Sequence, residues 1–479
     1  MSSAPRTVVA SLSVIISLQA AALAQCQESW VQVATSGPGA QRAFDIAYDA
    51  VRDRIVLFGG PQPAPNHGND QLWEWDGARW EQRQRSATWP PPRYGHTLVY
   101  DAARGRTVLF GGYHAGVGHR RDLWEWDGAS WTLRANSGPD ARYQHRTVYD
   151  PVGQRIILYG GAGAGSPFYR RDTWAWDGEA GVWTQLDAEG PARLSYHAMA
   201  FDGVTQRIIL MGGYEQIQVS PAMYAPTNRA WEWTGSGWME LPPAPWSPRH
   251  SPAVATNDAH TRAILVGGQD GFYQVFHDDG WERLAGSGTW SPLPAGPGAR
   301  YGPAITYDSL RRRFVLYAGI GESGFLDDTW VLTAEPVIVS HPESASLCPE
   351  GTVTLSVTAL GTGPFTYQWQ RDGQDIDGAT SPMLTLTPGI ADESGAYRCV
   401  VSNSCASVTS QAAVVTVCLA DADCNGVVTS SDISAYLTRW LDGVLGEDPL
   451  ADFNRDGVVN SSDISAFLTA WLAAVQGAC

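Results

Sequence analysis

The sequence predicts a mainly all-β protein, and three observations predict it. A short apolar strand ending in a glycine pair recurs six times, as "RIVLFGG" at 54, "RTVLFGG" at 106, "RIILYGG" at 155, "RIILMGG" at 207, "RAILVGG" at 262 and "RFVLYAG" at 313. A tryptophan phrase follows four of them, as "QLWEWDGARW" at 71, "DLWEWDGASW" at 122, "DTWAWDGEAGVW" at 172 and "RAWEWTGSGW" at 229. The composition joins 51 glycines and 30 prolines to 21 tryptophans, which suits strands linked by tight turns. Tryptophan is large enough to dominate a core, so its recurrence at a fixed period marks one repeating structural unit.

Each unit starts with an apolar run that ends in a turn, such as "HTLVYDAARG", and passes through the glycine strand and the tryptophan strand to a last strand such as "SWTLR". That order predicts a four-stranded antiparallel meander. The fifth unit weakens the tryptophan phrase to "YQVFHDDGW", and the sixth keeps "DTWVL" but runs out of chain for a fourth strand. The segment "SWVQVATSGPGA" at 29 to 40 looks like "RWEQRQRSATWP" at 79 to 90, a last strand without its predecessors. It is expected to complete the sixth unit and close a ring spanning 25 to 335. Meanders of this size bury their faces by stacking, and radial stacking gives a β-propeller.

The glycine pairs, the W-x-W-D-G strand and "RYGH" or "RYQH" opening a unit resemble the Kelch repeat over about 310 residues. The resemblance implies a six-bladed Kelch propeller and leaves function open, because propellers host many activities. The motif Arg-x-x-His is complete at Arg93/His96 and Arg142/His145, while later units read "RHSP" at 249 and "RYGP" at 300. Copper radical oxidases that resemble galactose oxidase need a cysteine crosslinked to a tyrosine, and no cysteine lies between Cys26 and Cys348; that chemistry is disfavoured. Other resembling propellers isomerise sialic acid. Arg93, Arg142, Arg249 and Arg300 either line a channel for an acidic sugar or serve as scaffold paired to a neighbouring unit's carboxylate, and their repetition favours the scaffold.

Binding residues concentrate on loops over a rigid frame. The loops between second and third strands differ most, reading "PAPNHGND" at 63, "YHAGVGHRRD" at 113, "GAGSPFYRRD" at 163 and "YEQIQVSPAMYAPTNR" at 214. His114, His119, Arg120, Arg121, Tyr169, Arg170 and Arg171 are the candidate ligand-binding residues, a basic and aromatic patch on an acidic chain. Aromatic faces stack on sugar rings and arginine holds carboxylate or sulfate at two points. The competing reading is that each "RRD" braces its own loop through Asp122 or Asp172. No catalytic residue is assigned.

Residues 336 to 418 change to short Thr/Val/Ser-rich strands and resemble an immunoglobulin-like sandwich, with Trp369 as core tryptophan and Tyr397 as corner tyrosine two before Cys399. The resemblance places Val357 where a cysteine partner of Cys399 would stand. Cys348 and Cys405 are one candidate pair, and Cys479 a candidate partner for Cys424 or Cys418. Seven cysteines leave at least one without an intrachain partner.

The last 60 residues carry "DADCNGVVTSSD" at 421 to 432 and "DFNRDGVVNSSD" at 452 to 463. Oxygen-bearing side chains at loop positions 1, 3, 5, 9 and 12, with glycine at 6, suit a hard cation such as calcium. The expected ligands are Asp421, Asp423, Asn425, Thr429 and Asp432 in one loop and Asp452, Asn454, Asp456, Asn460 and Asp463 in the other, with backbone carbonyls of Val427 and Val458. After each loop, Ile433, Tyr436, Leu437, Trp440 and Leu441, and their counterparts from Ile464 to Leu472, form one helical stripe. Two loop-helix units without a preceding helix resemble a dockerin domain over 419 to 479. The resemblance implies two calcium sites and a cohesin-like or cell-surface partner met through Ser430-Ser431 and Ser461-Ser462.

Residues 1 to 24 carry Arg6, a nearly uncharged run from Val8 to Leu23 and a small-residue end at Ala22-Leu23-Ala24, which predicts a signal peptide and export. Gln25, before Cys26, argues against lipid attachment. No later run reaches the roughly 18 apolar residues of a membrane helix, and the net charge of −17 disfavours nucleic acid. The expected function is that of a secreted or cell-surface binding protein, its propeller face taking glycan or protein and its tail anchoring to an extracellular assembly. The alternative is a carbohydrate-active enzyme, a sugar isomerase or polysaccharide-processing activity, in the propeller.

Overall fold

A computed structural model describes residues 27–39, 42–60, 68–165, 167–271, 275–348, 351–387, 393–446 and 449–475. The expected signal peptide, Cys26, Cys479 and part of the loop at 63 lie outside them. The chain divides into two compact units, Ser29–Thr333 and a second that takes in the chain from Ala334 together with Gln27 and Glu28. Among the described residues no helix is long and apolar enough to cross a membrane.

The first unit holds six four-stranded antiparallel sheets. The first sheet runs through Asp45–Asp49, Arg54–Phe58, Leu72–Trp75 and Trp80–Arg83, and the second through Thr97–Asp101, Arg106–Phe110, Leu123–Trp126 and Trp131–Ala135. The third comprises Arg146–Asp150, Arg155–Tyr159, Thr173–Asp177 and Val182–Asp187, and the fourth Ala198–Asp202, Arg207–Met211, Ala230–Trp233 and Trp238–Leu241. The fifth has Ala253–Thr256, Arg262–Val266, Gly280–Leu284 and Trp290–Pro292. The sixth joins Ala304–Asp308, Arg313–Gly321 and Gly324–Thr333 to Ser29–Ala34, which lies antiparallel to Gly324–Thr333 with Trp30 opposite Leu332. Each of these six sheets is an open meander with two edges, and none is joined to another by strand pairing among the described residues.

Side chains and single backbone hydrogen bonds make the junctions instead. Val56 and Phe58 of the first sheet share a core with Trp126 and Trp131 of the second, and Tyr159 of the third with Phe201 and Trp231 of the fourth. Phe314 and Leu316 of the sixth pack with Ile264 and Val266 of the fifth. The sixth also meets the first: Trp80 donates its indole N–H to Thr329 Oγ1 at 2.9 Å, and Arg311 pairs with Asp53 at 2.7 Å.

The glycine pairs follow from these junctions. Gly60, Gly112, Gly213 and Gly268 donate their N–H to the carbonyls of Arg93, Arg142, Arg249 and Arg300 at 2.8 to 3.0 Å. A Cβ on Gly59 or Gly111 would stand 2.7 Å from the carbonyl oxygen of Arg93 or Arg142, and both glycines have positive φ. A missing Cβ permits that approach, and glycine takes that backbone without strain.

The second unit opens with the sandwich. Ala345–Leu347 runs parallel to Ala413–Val417, which pairs with Gly395–Ser402, and that strand pairs with Thr366–Arg371. Trp369, Tyr397, Cys399 and Val357 share one core, and the Tyr397 hydroxyl donates to the Glu393 carbonyl at 2.8 Å. Cys399 is a buried free thiol. One disulfide joins Cys348 to Cys424, which corrects the pairing of Cys348 with Cys405 and removes Cys424 as a partner for Cys479. The parallel strand pair explains it: the Cys418 N–H donates to Leu347 O at 2.8 Å, so Cys348 lies beside the chain where it enters the first acidic loop. Cys405 and Cys418 are disulfide-bonded as well. Two helices complete the unit, α1 (Ser430–Val444) and α2 (Ser461–Val475).

Candidate functional site

The two acidic loops have one hydrogen-bond scheme written twice. Asp421 accepts backbone N–H from Asn425 at 3.1 Å and Gly426 at 3.0 Å, and Asp452 accepts from Asp456 at 3.1 Å and Gly457 at 2.8 Å. Gly426 and Gly457 have φ of 82° and 85°, the turn that position 6 requires. Asp432 closes its loop by accepting from Asp423 N–H at 3.1 Å and Thr429 N–H at 2.7 Å, and Asp463 accepts from Asn454 at 3.1 Å and Asn460 at 2.8 Å. Thr429 and Asp432 form a capping box at the start of α1, so the helix and the loop are built by the same side chains.

In the first loop, carboxylate oxygens of Asp421, Asp423 and Asp432 lie within 4.8 Å of one another, a spacing one cation can span. Asp423 also accepts the Ser431 hydroxyl at 2.8 Å, a bond that holds its carboxyl below the usual range. The second loop has Asn454 at the corresponding position and its third aspartate, Asp456, at position 5 instead, and Asn454 donates to Ser462 Oγ at 2.8 Å. The loops and helices interlock reciprocally. Trp440 of α1 donates its indole N–H to Asn460 O of the second loop at 2.8 Å, and Trp471 of α2 donates to Thr429 O of the first at 2.7 Å. Between them Tyr436 stacks on Phe467 at 4.2 Å.

The expected apolar stripe is narrower than its sequence pattern. Tyr436 and Phe467 are buried, whereas Leu437, Leu441, Leu468 and Leu472 are 40 to 57 % exposed. A core shared by only two helices covers the aromatic edge of each stripe and leaves the leucine edge outside.

In the sheet unit, Arg93, Arg142, Arg249 and Arg300 do not line a channel. All four are at most 2 % exposed and pair in two-point fashion with Asp122, Asp172, Asp279 and Asp328. The partners belong to the same sheet, not to a neighbouring one as expected. The same carboxylates accept indole N–H from Trp124, Trp174, Trp281 and Trp330 at 2.7 to 2.8 Å. This explains the recurrent Asp-x-Trp, and Asp279-x-Trp281 fills that role in the fifth sheet. Burial alone would raise the carboxyls of Asp122 and Asp172; the buried guanidiniums outweigh it and hold both below the usual range.

The braced-loop reading of "RRD" is corrected with it, because Asp122 and Asp172 are committed to Arg93 and Arg142. Arg121 instead donates to Gly138 O at 2.8 Å, Arg170 donates to Ala164 O at 2.9 Å, and Arg171 pairs with Glu189. The Nε of Arg120 is buried without a hydrogen-bond partner. His114 sits with His119 on a two-residue hairpin, and the His119 ring contacts Tyr113 and Tyr143 at 5.0 and 5.2 Å. Burial and the nearby Arg170 charge lower the His119 pKa. Of the predicted residues, Tyr169 lines the main cavity of this unit, of about 510 Å3.

Residues overlooked in the sequence line that cavity: Arg42, Tyr94, Tyr143, Tyr196, His250 and Tyr301. All but Tyr196 occupy one position of the repeat, that of the residue after the scaffold arginine; the fourth sheet has Ser195 there and Tyr196 one residue on, and the repetition of the tyrosines made them look structural. The signal that would have found them is the breaks in the tyrosine series, Arg42, Ser195 and His250.

Comparison with known proteins supports the sandwich directly. The immunoglobulin domain family model matches residues 335–403. The chain is 39 % identical over 74 residues to a decoration protein of Escherichia phage T5, covering 15 % of this chain and 45 % of that one. It is 36 % identical over 98 residues to the mouse basement membrane-specific heparan sulfate proteoglycan core protein, covering 19 % and 3 %. It is 33 % identical over 69 residues to the bovine advanced glycosylation end product-specific receptor, covering 14 % and 17 %. The chain thus spans less than half the length of each of these relatives. It is a mainly all-β chain that carries an immunoglobulin domain.

Proposed function

We propose that this chain is an exported modular binding protein that binds two calcium ions in its C-terminal loops. Asp421, Asp423, Asn425, Thr429 and Asp432 would hold one ion and Asp452, Asn454, Asp456, Asn460 and Asp463 the other, with the Val427 and Val458 carbonyls. The observation that carries this reading is the congruence of the two loops, position by position, around three convergent carboxylates in the first. Calcium would neutralise those charges and lock each loop to the helix it caps. The module is then dockerin-like, and its exposed leucines suit attachment to a cohesin-like or cell-surface protein.

The six sheets are read as a Kelch-type six-bladed propeller. Support comes from the packing of the sixth sheet on the first and from Ser29–Ala34 supplying the sixth sheet's outer strand. Its role is to present a face to glycan or protein, while the immunoglobulin domain serves as spacer or adhesive module. Calorimetric titration of the calcium-stripped full chain tests the metal reading. Uptake of two calcium ions, halved by Asp432→Asn, is expected; absence of binding heat at millimolar calcium would overturn it.

A further inference from the structure

The cavity of the sheet unit carries a charge pattern that the repeat does not require. At one repeat position on its wall, three sheets contribute Tyr94, Tyr143 and Tyr301, the fifth His250 and the chain before the first sheet Arg42, while the fourth has Ser195 there and adds Tyr196 from the next position. Three residues further along each repeat stand Asp45, Thr97, Arg146, Ala198, Ala253 and Ala304. Arg146 also lines the cavity, and its guanidinium lies 3.6 Å from Asp45 beneath it. Arg42 donates to the Tyr301 hydroxyl at 2.8 Å and stands over the Phe325 ring, and Arg146 donates Nε–H to His197 O at 3.1 Å. Each guanidinium keeps further N–H groups without a hydrogen-bond acceptor among the described residues. Among the described residues no carboxylate lines the cavity, although the chain has a net charge of −17. Such a site attracts anions and repels cations.

The phenols show what kind of anion. At the other end of the same strands Tyr48, Tyr100 and Tyr149 accept backbone N–H from Leu310, Val51 and Ala103, so those hydroxyls serve the scaffold. Around the cavity the hydroxyls of Tyr94, Tyr143, Tyr169 and Tyr214 make no hydrogen bond to a described residue. Gln144 and Gln269 add amides to the wall. A flat aromatic acid would leave these groups unmatched, at a cost for each buried polar group. A ring with many hydroxyls, an apolar C–H face for a tyrosine and one carboxylate for the two arginines satisfies all of them.

We propose that this cavity binds a uronic-acid-type sugar residue, its carboxylate held by Arg42 and Arg146 and its ring packed among Tyr94, Tyr143 and Tyr196. The assignment rests on the glycan side of the binding role above and moves it from the loops to the cavity. Calorimetry on the full chain with calcium tests it, using methyl uronides of gluco, galacto and manno configuration, the matching neutral methyl glycosides and a glutamate-rich peptide. At least one uronide is expected to bind, its neutral counterpart tenfold or more weaker. Arg42→Gln and Arg146→Gln should each reduce uronide affinity at least tenfold and Tyr143→Phe a few-fold, with Arg120→Ala and Arg170→Ala silent. Arg42 lies at the wall, so Arg42→Gln remains decisive if Arg146→Gln fails to fold. Equal binding of acidic and neutral sugars, or full affinity in Arg42→Gln, would overturn the proposal. Loss of sugar binding only in Arg120→Ala or Arg170→Ala would return the site to the loops and keep the glycan reading. Binding of the peptide alone, or of nothing, would overturn both.

Discussion

Three histidines at one position of the repeat, His96, His145 and His197, should make the sheet unit collapse in mild acid. Each is at most 2 % exposed and meets an aromatic ring of the preceding sheet: Phe58, Phe110 and Tyr159 at 5.3 to 5.8 Å. Burial first, and then the charge of Arg93 on His96 and Arg146 on His197, push these two pKa values down to about 3, and burial with Arg142 takes His145 well below its usual value. An unfolded histidine titrates near 6.5. The unfolded chain therefore takes up three protons that the folded unit refuses, so stability is full above about pH 6.5 and falls as pH drops toward 3. Each site costs about 2 kcal/mol by pH 5 relative to pH 7.5, and the three together about 6. That is comparable to the whole stability of an ordinary domain. Asp45, whose carboxyl is raised by burial, works in the opposite sense and offsets part of the loss. The depressed carboxyls of Asp122 and Asp172 give way only below about pH 4, in a separate window. Urea unfolding of the full chain at pH 7.5, 6.5, 5.5 and 5.0, followed by tryptophan fluorescence, measures the effect, since 18 of the 21 tryptophans lie between Ser29 and Thr333. His145→Gln should lessen the pH slope by about a third whatever it does to stability at pH 7.5. A urea midpoint that stays constant from pH 7.5 to 5.0 would refute the burial account.

Arg142→Ala should destabilise the sheet unit by about 3–5 kcal/mol, because it leaves Asp172 and the Gly160 carbonyl without their buried donor; calorimetric melting checks it. Trp440→Phe should weaken calcium at the second loop by about 1 kcal/mol, roughly five-fold, through the lost bond to Asn460 O, although Trp440 follows the first loop. Site-resolved NMR titration separates the two loops. Gly457→Ala, at φ 85°, should cost about 1 kcal/mol at the second loop and leave the first unchanged, by the same titration.

The repeat, the sandwich and the helices after the acidic loops were legible because each rests on a local pattern: a glycine where backbones cross, a tryptophan beside an aspartate, an apolar period of 3.6. What was not legible depends on which chain segments meet in space. Asp122 reads in sequence as part of "RRD", and only the antiparallel sheet brings Arg93 to it from 29 residues away. Cys348 and Cys424 are 76 residues apart, and a short parallel strand pair decides their meeting. The loop arginines were chosen because they vary, yet Arg121 and Arg170 turn to backbone carbonyls and Arg171 to Glu189. The cavity tyrosines were passed over because they repeat. Variation picks out loops well, but a cavity lined from several repeats takes repeated residues, and its selectivity lies in the few exceptions among them.

The strand Ser29–Ala34 is synthesised before all the others of its unit yet pairs with a segment ending at Thr333, about 300 residues later. During translation it must wait through five complete sheets before its partner Gly324–Thr333 leaves the ribosome. Until then the sixth sheet is unfinished and the packing of Trp80 on Thr329 cannot form. The assembly order is therefore one in which the first strand made is the last to be placed, so the waiting strand is open to mispairing and to chaperones. Joining Thr333 to Ser29 by a short linker and opening the chain between the third and fourth sheets would shorten that wait.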